Sequence, residues 1–187
     1  MTLYLVRHAM PQVDPATDPA TWPLAAAGRA AARLLRRRLP PGAFLVASDE
    51  PKAWQTVAPA GERSVLRDAR LREVRRTEEF TDDFARLRRS YVSGAAITGW
   101  EPRLEVARRF AAAIDAATGL AGGRDVVAAS HGMAMTVWLA ETLPLTDPGS
   151  FWEGLRLPDV LVVDLQAGTV TRPDDGQSRR RPSSSAG

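Results

Sequence analysis

The chain contains two histidines, His8 and His131, and each follows a short apolar run. Apolar runs of this length are typical of strands that are buried on both faces of a parallel sheet. Ligands of open parallel sheets bind at the carboxyl ends of the strands, so both imidazoles are expected at one edge. A single histidine after a strand is most often structural, but two such histidines indicate a shared site.

Cationic side chains accompany both histidines. Arg7 directly precedes His8, and Lys52, the only lysine of the chain, lies a few residues after the second apolar run. Guanidinium and ammonium groups beside imidazoles suit a dianionic tetrahedral ligand, above all a phosphoryl group. A helix that begins at Gly132 is expected to add backbone N–H donors and the positive end of its dipole. The predicted phosphate-binding residues are Arg7, Lys52, His131 and Gly132.

Alternating strands and helices must position these groups. Apolar runs predict strands over residues 2–6, 43–47 and 125–129, a short strand over 64–66, and a final hairpin over 157–165 and 169–171. Helical spacing of apolar residues predicts helices over residues 24–39, 52–60, 77–91, 102–118 and 132–143. This alternation predicts an α/β domain with a mostly parallel sheet over residues 1–171. Residues 172–187 are rich in Arg, Ser and Pro, which predicts a disordered tail.

Composition excludes several classes of protein. The chain of 187 residues has no cysteine, which excludes disulfide frameworks, iron–sulfur clusters and thiol catalysis. No apolar run approaches the ~20 residues that cross a bilayer, and the N-terminus does not resemble a signal peptide, so we expect a cytoplasmic protein. The net charge of +3 comes mostly from the arginine-rich tail, so no specific nucleic-acid site is predicted. The cations beside the histidines oppose a metal site.

Five segments, in this order, resemble motifs of the histidine phosphatase superfamily, the phosphoglycerate-mutase-like proteins. Residues 5–9 resemble its Arg-His-Gly signature, and residues 23–31 resemble the start of its first helix. Residues 47–57 resemble its Ser-x-x-x-Arg-Ala-x-Gln-Thr segment, residues 71–73 its Leu-x-Glu, and residues 127–132 its second histidine motif. Each motif alone is a weak signal, but five in the same order are specific.

The resemblance implies a three-layer α/β/α fold and a phosphatase that acts on a small phosphorylated metabolite without metal or cofactor. His8 would attack phosphorus and form a phosphohistidine. Arg7, Lys52 and His131 would hold the phosphoryl oxygens and neutralise the developing charge. Glu73 would protonate the leaving alkoxide and then help to activate the hydrolytic water.

Several alternatives stay open at this point. The arginines around Glu73 favour its carboxylate form, so Glu78 or Glu79 is an alternative proton donor. Ala9 and Lys52 stand where the family has glycine and arginine, so a phospholigand-binding protein with weakened turnover is a second hypothesis. A phosphoglycerate-mutase-type phosphotransferase is a third, although the segment after Glu73 is short for that branch. The sequence does not indicate an oligomeric state.

Overall fold

Within residues 1–61, 64–77 and 83–173, which the computed structural model describes, six strands form one sheet. They are β1 (Leu3–Arg7), β2 (Phe44–Ala47), β3 (Val65–Arg67), β4 (Val126–Ser130), β5 (Asp159–Asp164) and β6 (Thr169–Thr171). Their order across the sheet is β3-β2-β4-β1-β5-β6. The first four strands run parallel, and β5 and β6 are antiparallel to their neighbours. This arrangement confirms the predicted α/β domain with a mostly parallel sheet.

Helices cover both faces of this sheet. In the described residues they are α1 (Ala26–Leu35), α2 (Pro51–Val57), α3 (Phe84–Val92), α4 (Arg103–Ala121), α5 (Gly132–Thr142) and α6 (Pro148–Glu153). On one face, Val6 shares an apolar cluster with Leu35 of α1 and Val57 of α2. On the other face, Leu5 shares a larger cluster with Phe110 of α4 and with residues of α3 and α5. Successive strand residues point to opposite faces, so β1 serves both clusters and the fold is a three-layer α/β/α sandwich.

The observed helices differ from the predicted ones at several ends and by one additional helix. α1 ends at residue 35, and residues 36–38 form a 3₁₀ turn. The helix predicted over residues 77–91 is observed from Phe84 onward, and residues 78–82 lie outside the described residues. α6 is not predicted, because six residues are too few to show an apolar period. Its local signals are Pro148 in the first turn and the Asp147 carboxylate, which accepts the Ser150 N–H.

The predicted tail begins at a residue that the structure describes. The Arg172 guanidinium donates to the buried Asp159 carboxylate, at 2.8 Å for Nη2, and also to the carbonyl of Gly154. Residues 174–187 lie outside the described residues, so the disorder of the tail stays a prediction. Among the helices of the described ranges, none has both the length and the apolar character that a membrane span requires.

The carboxyl ends of β1, β2 and β4 lie side by side. The residue after β1, His8, donates its backbone N–H to the carbonyl of Ser130 at the end of β4 (3.0 Å). The residue after β2, Ser48, donates in the same way to Ala129 (2.8 Å). The strand ladders therefore extend one residue beyond the strands, and His8 lies beside the strand end from which His131 follows.

Candidate active site

His8 and His131 meet at this edge of the sheet. Their ring centroids are 5.2 Å apart, and the ring planes make an angle of 59°. His8 is 9 % exposed, and His131 is fully buried. The structure therefore brings the two imidazoles side by side, although they are far apart along the chain.

A hydrogen bond to the backbone determines which nitrogen of His8 carries hydrogen. His8 Nδ1 lies 2.8 Å from the carbonyl oxygen of Ala9, which can only accept, so Nδ1 is the donor. The neutral imidazole then has its lone pair on Nε2. Burial, together with the nearby His131, Lys52 and Arg7, lowers the pKa of His8 to about 3. At neutral pH this side chain is therefore a neutral imidazole.

His131 has no polar neighbour at hydrogen-bonding distance among the described residues. Neither Nδ1 nor Nε2 has a hydrogen-bond partner there, and the nearest carboxylate oxygen, Glu50 Oε1, lies 3.6 Å from Nε2. Burial lowers the pKa of His131 to about 3, against the opposing effect of Glu73. A buried imidazole with two unused nitrogens is suited to contact a ligand in the pocket.

Arg7 lies beside the first turn of α5. Its Nη1 donates to the carbonyl of Leu155 (2.7 Å), while its buried Nε has no hydrogen-bond partner in the described residues. Gly132 leaves the room that this guanidinium occupies, because a Cβ at Gly132 would lie 3.1 Å from Arg7 Nε and 3.2 Å from Trp152 Nε1. The position of Arg7 therefore depends on the missing side chain at the start of α5.

Lys52 lies in the first turn of α2 and is buried. Its ammonium donates to Glu50 Oε2 and to the carbonyl of Pro19, both at 2.6 Å. An ammonium group has three hydrogens, so these contacts leave one donor for a ligand. The predicted phosphate-binding lysine is thus engaged by a carboxylate that sequence reasoning does not connect to it.

Glu73 is half-buried and caps the N-terminus of α5 with its carboxylate. Oε1 accepts the backbone N–H of Ala134 (2.9 Å) and of Val74 (3.0 Å). Burial opposes its ionisation, but the charges of protonated His131 and of Arg76, with the two N–H donors, outweigh burial and lower the pKa of Glu73 to about 2. Glu73 is therefore a carboxylate at neutral pH, and the alternative donors Glu78 and Glu79 lie outside the described residues.

Side chains from α4 and β4 hold the segment that carries Glu73. Arg109 of α4 donates from Nη1 to the carbonyl of Arg72 (2.8 Å) and from Nη2 to that of Glu73 (3.2 Å). Ser130, at the end of β4, donates from its hydroxyl to the carbonyl of Leu71 (2.7 Å). Arg109 is not predicted from the sequence, because a single arginine on a helix gives no signal of its contacts.

Ala9, which replaces the family glycine, is fully buried and packs with Leu24 and Ala32 in a small apolar cluster. Its backbone N–H donates to Thr56 Oγ1 (2.8 Å), and that hydroxyl donates to the carbonyl of Lys52 (2.7 Å). The extra methyl group is therefore accommodated in the core, and α2 is tied directly to the loop that follows His8.

The sequence profile of the Histidine phosphatase superfamily (branch 1) matches residues 3–170. The chain belongs to this superfamily. No curated protein sequence matches the chain. Among the residues that the structure describes, no three His, Asp or Glu side chains are grouped as metal ligands.

Solved structures with the same fold include phosphatases. A mycobacterial glucosyl-3-phosphoglycerate phosphatase, Rv2419c, solved with inorganic phosphate, has a TM-score of 0.67 at 24% identity, over 92% of this chain and 95% of that chain. YhfR of Bacillus stearothermophilus has a TM-score of 0.69 at 20% identity, over 91% and 94%. A mycobacterial hydrolase has a TM-score of 0.64 at 26% identity, over 92% and 96%.

Proposed function

We propose that the protein is a phosphatase that hydrolyses a small phosphomonoester through a phosphohistidine on His8. The observation that carries this proposal is the state of His8. Its Nδ1 donates to the carbonyl of Ala9, so Nε2 keeps its lone pair, and the side chain is 9 % exposed. A neutral imidazole in a pocket lined by cations is the form of histidine that attacks phosphorus. Family membership and the phosphatases among the structural neighbours support the same class of reaction.

In the first step, the lone pair of His8 Nε2 forms a bond to phosphorus while the bond to the ester oxygen breaks. Arg7, with its unpartnered Nε, and Lys52, with its third hydrogen, neutralise the charge on the phosphoryl oxygens. His131 contributes a ring nitrogen from the opposite side, and the backbone N–H of Gly132 adds a donor at the helix N-terminus. These are the phosphate-binding roles predicted from the sequence.

The leaving oxygen needs a proton, and Glu73 is the proposed donor. Glu73 is ionised at neutral pH, so it must gain a proton when the substrate binds. A phosphate dianion beside the carboxylate raises the pKa of Glu73, and a phosphomonoester monoanion can deliver the proton itself. We therefore expect kcat/KM to fall as the pH rises above ~6, where phosphomonoesters lose their second proton.

In the second step, the Glu73 carboxylate accepts a proton from water, and the water oxygen bonds to phosphorus as the bond to His8 Nε2 breaks. Inorganic phosphate leaves, and His8 returns to its neutral form. No step requires a metal or an organic cofactor, so we expect full activity in the presence of a chelator. A cytoplasmic location and a small metabolite as substrate stay predictions.

Trapping the covalent intermediate tests this proposal. We expect ³²P-labelled substrate, quenched in base within milliseconds, to leave a phosphoenzyme that is stable in base and labile in acid. The variant His8→Ala is expected to form none and to lose at least ~10³-fold in kcat/KM, with unchanged circular dichroism. Strict dependence on a metal, or a phosphoenzyme that persists in His8→Ala, contradicts the proposal. Transfer of the phosphoryl group to a second hydroxyl instead of water would identify a mutase.

One observation favours a phospholigand-binding protein as a second candidate. The Lys52 ammonium is paired with a carboxylate, which reduces its charge toward a phosphoryl group. A binding protein predicts micromolar affinity for a phosphorylated ligand with turnover no faster than in His8→Ala. Comparing the two rates on one aryl phosphate separates the candidates.

A further inference from the structure

Glu50 is a buried carboxylate that the proposed mechanism does not use. It directly precedes α2 and is only 6 % exposed. A buried carboxylate is costly unless charged or hydrogen-bonding groups compensate it. The partners of Glu50 therefore indicate what it does in the pocket.

Each oxygen of Glu50 contacts a group assigned to the phosphate site. Oε2 accepts a hydrogen bond from Lys52 Nζ at 2.6 Å. Oε1 accepts the backbone N–H of Glu73 at 3.0 Å and lies 3.6 Å from His131 Nε2. One side chain thus hydrogen-bonds to α2 and to the segment after β3, and it lies beside His131, the residue before α5.

The same carboxylate balances the charge of the pocket. Arg7 and Lys52 are cationic, whereas Glu50 and Glu73 are anionic, so these four charges cancel while His8 and His131 are neutral. Glu50 therefore reduces the positive charge that an incoming phosphate dianion meets, to which Arg76 and Arg109 also contribute at His131. Tight binding of the product would slow turnover, so this balance favours release of phosphate.

We propose that Glu50 is a positioning residue of the phosphate site, which orients Lys52 and the Glu73 backbone and limits the affinity for inorganic phosphate. This inference rests on the proposed phosphatase function. The family arginine needs no such partner to present a rigid fork, whereas a flexible lysine stem gains a defined direction from a buried carboxylate. The lysine at position 52 and the glutamate at position 50 thus act as one unit.

Two substitutions of Glu50 separate its charge from its geometry. Glu50→Gln keeps the size and removes the charge, so we expect inorganic phosphate to bind about fivefold more tightly or better, while kcat falls about tenfold. Glu50→Asp keeps the charge and shortens the side chain, so phosphate affinity should stay within about twofold while kcat falls. Calorimetry with inorganic phosphate gives the affinity, and an aryl phosphate gives kcat.

A matched control lies one residue away. Asp49 forms an ion pair with Arg72 at the surface, and Asp49→Asn removes a carboxylate without touching Lys52 or His131. Its phosphate affinity and kcat are expected to stay within about twofold of wild type. In addition, Glu50→Gln combined with Lys52→Ala should lower kcat no more than Lys52→Ala alone, because the amide oxygen of Gln still accepts the Glu73 N–H and only the contact with Lys52 is lost.

The outcomes distinguish this inference from the phosphatase proposal. If Glu50→Gln binds phosphate more weakly than wild type, or behaves like Asp49→Asn, the inference on Glu50 is wrong. A purely structural role would lower the melting temperature and kcat together and leave phosphate affinity unchanged or weaker, which also overturns it. If Glu50→Gln does not fold, Glu50→Asp decides, because tighter phosphate binding in that variant contradicts the charge argument. If the wild-type protein shows no turnover that depends on His8, the phosphatase proposal is wrong. Calorimetry with inorganic phosphate still tests the inference on Glu50 in that case.

Discussion

The pocket has two halves that are held in different ways. The histidine half lies at the carboxyl ends of the adjacent strands β1 and β4. It consists of Arg7, His8, His131 and Gly132. The carboxylate half consists of Glu50, Lys52 and Glu73, which follow from β2 and β3. In the histidine half, the side chains of Arg7 and His8 hydrogen-bond to backbone carbonyls, and within the described residues His131 has no hydrogen-bond partner.

The carboxylate half is joined by charged and charge-assisted hydrogen bonds. Glu50 holds Lys52 and the backbone of Glu73, and Glu73 holds the first turn of α5. Burial therefore lowers the pKa of both imidazoles and keeps them neutral. In contrast, nearby positive charges and backbone N–H groups lower the pKa of Glu73 and keep it ionised. In the proposed mechanism, burial keeps the nucleophile His8 unprotonated, whereas Glu73 gains its proton only when the substrate binds.

Substitution of Glu73, the proposed proton donor of the carboxylate half, is expected to lower activity most. Glu73→Gln keeps the shape but removes the transferable proton, so kcat/KM on an alkyl phosphate should fall by about 10³-fold. On a nitrophenyl phosphate, whose leaving group needs no proton, the loss should stay below about tenfold. Steady-state kinetics on the two substrates measures the difference.

An equal loss on both substrates would mean that Glu73 holds α5 and does not deliver a proton. In that case Glu78→Gln and Glu79→Gln, tested on the same two substrates, identify the donor. Circular dichroism and the melting temperature control for the loss of the helix cap in Glu73→Gln, which costs about 1 kcal/mol of stability when a capping group is removed.

The two halves are also expected to respond differently to acid. An unfolded histidine binds a proton below pH ~6.5, but His8 and His131 stay neutral in the folded protein down to a pKa of about 3. The unfolded state then binds more protons, so the free energy of unfolding falls as the pH falls, by about 1.4 kcal/mol per pH unit for each histidine. Glu73 has a lowered pKa, so its own contribution is lost only below its ordinary pKa of 4.5.

The two halves therefore lose stability in different pH windows. Urea unfolding between pH 6.5 and 4.5 should show a slope that His131→Asn reduces by about 1.4 kcal/mol per pH unit, or about 3 kcal/mol over the window. Glu73→Gln should leave that slope unchanged, because it lowers stability by a constant amount above pH 4.5, and its difference from wild type should shrink only below pH 4.5. A His131→Asn protein with the wild-type slope would show that His131 is protonated in the folded state.

The histidine half is predictable from the sequence, and the reason is local. His8 and His131 are the first residues after buried strands, and apolar runs mark the ends of such strands within a residue or two. Arg7 and Gly132 are their immediate neighbours, so their placement follows as well. The order of the strands across the sheet adds only that β1 and β4 are adjacent.

The carboxylate half is less predictable, because its contacts depend on tertiary structure. Glu50 and Lys52 are two residues apart, a spacing at which side chains on a helix do not face each other. They pair because Glu50 lies just before α2 and has an extended backbone. Arg109, which holds the Glu73 segment, comes from a helix far along the chain, and no local pattern indicates that contact.

A substitution at Gly132 tests the role of packing in the histidine half, and its effect on activity is expected to be smaller. Gly132→Ala places a methyl group 3.1 Å from Arg7 Nε and 3.2 Å from Trp152 Nε1, so the guanidinium must move by a few tenths of an ångström. Misplacement of one charged donor should lower kcat/KM about tenfold, or about 1.4 kcal/mol.

Gly119→Ala in α4 is the matched control, because nothing lies within 4 Å of the new methyl group. The control should gain about 0.5–1 kcal/mol of stability and keep its activity. If Gly132→Ala also keeps its activity, Arg7 is positioned by Leu155 alone, and the close approach to α5 has no part in catalysis.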